Sequence, residues 1–149
     1  MNLSKHFQRS ELECRCHCGA CEIKPELLAA LEATRAVRGL PLNVASGYRC
    51  PAHNAAVGGA PGSKHLTGEA ADIWIAGVDA FELFRIMGGI PAWRGLGLDE
   101  HRVVDAATGQ KGFVHGDVST EPPARNLARV TRWRYRDGVV APWIAEPEA

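Results

Sequence analysis

The sequence contains no run of about 18 apolar residues, so no membrane-spanning helix is encoded. Its opening stretch, MNLSKHFQRSELECRC, lacks the apolar core of a signal peptide, which predicts synthesis in the cytoplasm. Net charge is absent as well, since 17 basic and 17 acidic residues cancel. A balanced chain has no global electrostatic footprint for a polyanion, so neither nucleic acid nor an anionic membrane is expected as a partner. No internal repeat and no low-complexity segment occurs. What remains is 149 residues, of which 46% are hydrophobic, enough for a single monomeric domain over residues 1–149 with its own core.

Proline and glycine punctuate this chain. Lys24 to Arg38, KPELLAALEATRAVR, carries proline at an early position, leucines at 27, 28 and 31, a valine at 37, and Gly39 after its last turn. That spacing predicts an amphipathic helix with its start and stop both marked. Leu42 to Ser46 reads as a short strand that delivers Tyr48 and Arg49 to its end, and Pro51 to Val57 as a short helix or turn. Glu69 to Ile75 is predicted to be a buried strand, and Ala80 to Met87 a helix capped by Asp79 and ended by Gly88 and Gly89. Gly95 to Leu98 and Phe113 to Val118 read as an antiparallel hairpin across a polar turn, with Trp133 to Tyr135 as the last strand. Helices first and then closely connected strands predict an α+β fold, a central antiparallel sheet flanked by helices. Residues 137–149 are expected to be a loosely ordered tail.

Cysteine is sparse but local. Four of the five crowd into Cys14-x-Cys16-x-Cys18-x-x-Cys21, within an amino-terminal arm over residues 1–22, and the fifth is Cys50. Thiolates at this spacing suit a second, structural metal ion held by Cys14, Cys16, Cys18 and Cys21, although the usual pair of C-x-x-C units is missing. Plain reduced thiols, or one bridge from the cluster to Cys50 that ties the arm to the core, are the other readings. No thiolate is paired with His17 in a nucleophile arrangement, so a catalytic cysteine is not expected.

The chemistry concentrates between Ser46 and Asp72, in SGYRCPAHNAAVGGAPGSKHLTGEAAD. His65 and Asp72 offer an imidazole nitrogen and a carboxylate oxygen, half of a zinc site that needs a third protein ligand and an open position for water. Asp72 is the one charge in the apolar second half of its strand, a costly placement unless it is paired or bound to metal. His115 is the expected third ligand, and alternation along Phe113 to Val118 puts Asp117 on the same strand face.

Together these motifs resemble the zinc D-Ala-D-Ala peptidases of bacterial cell walls, a group related to the amino-terminal domain of hedgehog proteins. The pattern SGYR, N-x-x-VGG, S-x-H-x-x-G-x-A-x-D and a late FVH-x-D stands here as Ser46 to Arg49, Asn54 to Gly59, Ser63 to Asp72 and Phe113 to Asp117. The likeness runs from about Phe7 to Tyr135, and the FVH-x-D ending is most similar to murein endopeptidases and phage-encoded lysins. It implies zinc at His65, Asp72 and His115, hydrolysis of an amide, Arg49 over the site for a substrate carboxylate or oxyanion, and Ser63 as a substrate hydrogen-bond partner. Many members carry an acidic residue three positions before the last histidine, as general base; here that position is Gly112. Asp117 is the expected replacement, as base or as the carboxylate that orients an imidazole, and Asp99, Glu100 and His101 are further groups within reach of the same hairpin.

The resemblance implies a peptidoglycan or muropeptide substrate, cut by an endopeptidase that reaches the wall through a separate membrane pore. Two readings compete with it: a D-alanyl-D-alanine carboxypeptidase, and a catalytically silent zinc-containing module that binds cell wall. A third has the cysteines hold the important ion and the His/Asp set incidental.

Overall fold

A computed structural model describes residues 1–120, 130–136 and 139–142. Helices α1 (Arg9–Leu12), α2 (Pro25–Arg38), α3 (Pro51–Ala56) and α4 (Ala80–Gly88) accompany strands β1 (Asn43–Ser46), β2 (Ala70–Trp74), β3 (Gly95–Asp105), β4 (Gln110–Asp117), β5 (Thr131–Arg136) and β6 (Val139–Pro142). The strands form one six-stranded sheet in the order β1-β2-β4-β3-β5-β6, and helices flank it in the expected α+β arrangement. Every pairing is antiparallel except β3 with β5, which run parallel. No helix among the described residues is long and apolar enough to cross a membrane.

Helix α2 begins with Pro25 at its first turn and ends on Gly39 in the left-handed conformation, at φ 65°. Its buried stripe is Leu27, Ala30, Leu31 and Thr34, the i, i+3, i+4, i+7 spacing of one helical face. Val37, expected on that stripe, is exposed. Helix α4, capped by the Asp79 carboxylate on the Phe81 N–H at 2.9 Å, buries Ala80, Leu83, Phe84 and Met87 and packs on β3 and β4. Trp93 fills the space between these layers and donates its indole N–H to Thr34 Oγ1 at 2.9 Å. Ile73, Leu96, Leu98 and Val114 complete this core from the sheet.

The expected strands and hairpin form, with two corrections. Trp133 to Tyr135 is not the last strand: part of the supposedly loose tail, Val139–Pro142, pairs with β5 as β6. The rest of the tail lies outside the described residues. The turn of the hairpin is also tighter than residues 105–112, because β3 continues to Asp105 and β4 starts at Gln110.

Because side chains alternate along a strand, the register decides what shares a face. Ser46 of β1 faces Asp72 of β2, Asp72 faces His115 of β4, His115 faces Gly97 of β3, and Gly97 faces Trp133 of β5. One cross-strand row therefore carries two of the predicted metal ligands. The intervening residues Ile73, Val114, Leu96 and Leu98 point the other way, into the core.

Candidate metal centre

His65 reaches the row from outside the sheet. It lies in a short 3-10 turn, Lys64–Thr67, whose first N–H groups are capped by Ser63: the Ser63 hydroxyl accepts from the His65 N–H at 3.3 Å. The His65 ring donates from Nδ1 to the Gly47 carbonyl at 2.7 Å, which turns Nε2 toward Asp72 as the nitrogen that would bind a metal. That nitrogen stands 3.2 Å from Asp72 Oδ1, and His115 Nδ1 stands 3.0 Å from the same oxygen. One ligand atom from each of the three residues lies within 4.8 Å of the others, and all three side chains are buried.

The donor set fits a zinc ion. Two donors on tetrahedral zinc, each about 2.0–2.1 Å from the metal, are separated by about 3.3 Å, close to the two spacings observed. Both histidines also carry the outer hydrogen bond that metal-ligating imidazoles use: His65 to Gly47, and His115 through Nε2 to Asp117 Oδ2 at 3.4 Å.

Electrostatics binds the centre together in the absence of metal. Burial pushes the Asp72 carboxyl up, but the charge of His65 and hydrogen bonds from both imidazoles outweigh it and hold the group well below the usual carboxylate range. Burial disfavours a charged His115, yet hydrogen bonds to Asp117 and Asp72, with their charges, raise its pKa to about 9. Arg49 completes the set: its Nη2 is 3.6 Å from Asp72 Oδ2, its Nε donates to Ser46 Oγ at 3.2 Å, and its Nη1 donates to Asn54 Oδ1 at 3.4 Å. Three partners thus hold the guanidinium beside the metal ligands.

A cavity of about 500 Å³ opens above the centre and is lined by all six residues that the sequence nominated: Arg49, Ser63, His65, Asp72, His115 and Asp117. Of the further groups, Asp99 lines this cavity, but its Oδ1 accepts from the His101 and Arg102 N–H groups at 2.9 and 3.0 Å. Glu100 instead pairs with Arg134 at 3.3 Å, and His101 is exposed. Three contributors escaped the sequence reading. Arg102 enters the cavity because the β3–β4 register shifts between Asp99 and Val103. Trp133 and Tyr135 also line it, with the indole 5.4 Å from the His115 ring. The indole gets there by crossing Gly97, where any Cβ would collide with it.

Gly112 is barred from carrying the missing acid. Its φ is +94°, and a Cβ there would lie 2.7 Å from the Ala80 Cβ and 3.1 Å from the Asp99 carbonyl oxygen. Restoring the acid by Gly112→Asp is accordingly expected to destabilise the fold by about 2 kcal/mol or more, with no gain in hydrolysis. Urea unfolding of parent and variant reads the difference; an unchanged midpoint would refute it.

A buried His/Asp/His donor set on one sheet face, beneath an open cavity with a tethered arginine, defines the centre of a metal-dependent hydrolase. The family model for Peptidase M15 matches residues 5–104. This chain belongs to that family, whose members are zinc-dependent metallopeptidases acting on peptidoglycan-type substrates. The matched segment includes Arg49, Ser63, His65 and Asp72 and stops short of His115 and Asp117, which the sheet register brings to the same place. No curated protein matches the chain.

Proposed function

We propose that the protein is a peptidoglycan endopeptidase of phage-lysin type, cutting a peptide bond in the stem or crosslink with one zinc ion held by His65, Asp72 and His115. The observation that supports this reading is a second cavity beside the one above the centre, among the described residues. It measures about 450 Å³ and shares Arg49, Asp72, Arg102 and Phe113 with the first. A substrate with two arms needs space on both sides of the metal, which two adjoining cavities would supply, whereas a carboxypeptidase needs a closed end that grips a terminal carboxylate.

When bound, zinc supplies a Lewis acid for the scissile carbonyl and lowers the pKa of an attacking water. The residues divide the remaining work. Arg49, fixed by Ser46 and Asn54, presents a planar guanidinium to a substrate carboxylate or to the oxyanion that develops. Ser63 keeps its hydroxyl proton free to donate to a substrate carbonyl while its oxygen caps His65. Three carboxylates line the cavity: Asp72 is a metal ligand, Asp99 braces the bulge, and Asp117 is left to accept the water proton and steady His115. Arg102 and Lys64 make the rim basic, which suits stem peptides rich in carboxylates. The enzyme acts as a monomer and reaches the wall through a separate pore.

A D,D-carboxypeptidase is the second reading, favoured by the same three-point tether on Arg49, which would serve as a clamp for a terminal carboxylate. Mass spectrometry of products from defined crosslinked and uncrosslinked muropeptides separates the two. The expected result is chelator-sensitive splitting of the crosslink or stem. Release of a single D-alanine would make the enzyme a carboxypeptidase, and no chelator-sensitive product would leave a silent binding module.

A further inference from the structure

The cysteines regroup in three dimensions. Cys21, expected in the cluster, stays outside it, and Cys50 takes its place: one sulfur from each of Cys14, Cys16, Cys18 and Cys50 lies within 4.8 Å of the others. None of the five is in a disulfide. The change has a local cause. The Cys14 N–H donates to the Ala20 carbonyl at 2.9 Å and the His17 N–H to the Cys14 carbonyl at 3.3 Å, while His17 and Gly19 take φ of 64° and 82°. This tight knuckle gathers Cys14, Cys16 and Cys18 on one side and carries the chain past Cys21.

The spacings match metal rather than a bridge. Cys14 and Cys16 sulfurs are 3.4 Å apart, and those of Cys16 and Cys50 are 3.7 Å apart. A disulfide demands about 2.0 Å, whereas sulfurs bound at about 2.3 Å to tetrahedral zinc sit about 3.8 Å from one another. Backbone donors already point at the sulfurs: the Cys50 N–H at Cys14 Sγ and the His53 N–H at Cys50 Sγ, each at 3.4 Å. Such N–H···S contacts stabilise thiolates and orient them as ligands.

We propose that Cys14, Cys16, Cys18 and Cys50 bind a second zinc ion in a closed tetrathiolate site that pins the amino-terminal arm to the loop carrying Arg49. Four thiolates leave no open position, so the role is structural. Its placement has a consequence for the other centre. Cys50 directly follows Arg49 and caps α3, whose Asn54 holds the Arg49 guanidinium. The arm is also joined to the loop by the Tyr48 N–H on the Leu12 carbonyl and to β1 by Arg15 on the Val44 carbonyl, both at 2.8 Å. The thiolate-bound ion braces this junction, and with it the Gly47 carbonyl that orients His65.

Metal analysis of the full-length protein tests the site without reference to catalysis. Two zinc ions per chain are expected in the parent and in Cys21→Ser, and one in Cys50→Ser and in His65→Ala. Loaded with cobalt, the parent, Cys21→Ser and His65→Ala show thiolate-to-metal charge-transfer absorption in the near ultraviolet, and Cys50→Ser loses most of it. Should Cys50→Ser fail to fold, alkylation of the native parent gives the same answer. Cys16 and Cys18 are exposed, yet a bound ion protects them until a strong chelator is added. Parent zinc that survives undiminished in Cys50→Ser, immediate alkylation of Cys16 and Cys18, or a disulfide within the four would each overturn the proposal. Amide exchange at Tyr48 and Arg49 is expected to quicken at least tenfold when only the thiolate-bound ion is removed; unchanged exchange would overturn the bracing role.

Discussion

Replacing Asp117 with asparagine lowers kcat by ~10²–10⁴-fold at saturating zinc, the range expected when a general base is lost. Asparagine keeps the size of the side chain and an oxygen that accepts from His115 Nε2, so the imbalance falls on basicity rather than shape. The alternative bases are poorly placed. Gly112 has no room for a side chain, Asp99 has one oxygen committed to two backbone N–H groups, and Glu100 faces Arg134. Asp117 is itself almost fully buried and accepts from the Ser119 N–H at 3.3 Å, which holds its carboxylate against His115. If Asp117 only positioned His115, its loss would weaken metal binding about 10–100-fold and added zinc would restore turnover. Initial rates against free zinc, repeated over pH, distinguish the two: a base removes the acidic limb of the profile, and full rescue by zinc would sink that role.

How much of this was legible in the sequence depends on whether a feature is local. Helix α2 was readable because Pro25, the apolar spacing and Gly39 all lie within one segment, and only Val37 departs, having drifted off the buried face by the last turn. The ligands His65, Asp72 and His115 were readable because motif spacing reports on them, even though β4 meets β2 across 43 residues of chain. Features that depend on register were not. Trp133 and Tyr135 reach the cavity through a parallel pairing of β5 with β3, and Arg102 through a bulge, neither of which leaves a periodic signal. The cysteine cluster fails for the same reason. Sequence proximity nominates Cys21, and only the contacts of α1 and its following knuckle with the β1–α3 loop, Leu12 with Tyr48 and Cys14 with Cys50, substitute Cys50.

Zinc affinity of the His/Asp centre rises about tenfold per pH unit between pH 6.5 and 8.5, with about one proton released per ion bound. The proton comes from His115. Its pKa in the metal-free fold is raised from 6.5 to about 9, first against burial and then by Asp117 and Asp72, so a ligand lone pair must be freed throughout that window. The same shift sets the stability of the metal-free protein. A group whose folded pKa is raised stabilises the fold fully below its ordinary value and loses that contribution as pH climbs through the folded one. His115 therefore stabilises the metal-free protein up to about pH 6.5 and stops doing so by about pH 9. Asp72 works in the opposite sense, since its depressed carboxyl contributes above its ordinary value of 3.8 and fades only as pH falls well below it. Metal-free protein is thus most stable between about pH 4 and 6.5, while zinc-loaded protein gains on it as pH rises, because the ion replaces the proton. Calorimetric zinc titrations of parent and His65→Ala isolate this centre from the cysteines, and buffers of different ionisation enthalpy count the protons. An affinity that does not change with pH, or a metal-free melting temperature that climbs from pH 6.5 to 9, would show that His115 is not held in its charged form by Asp72 and Asp117.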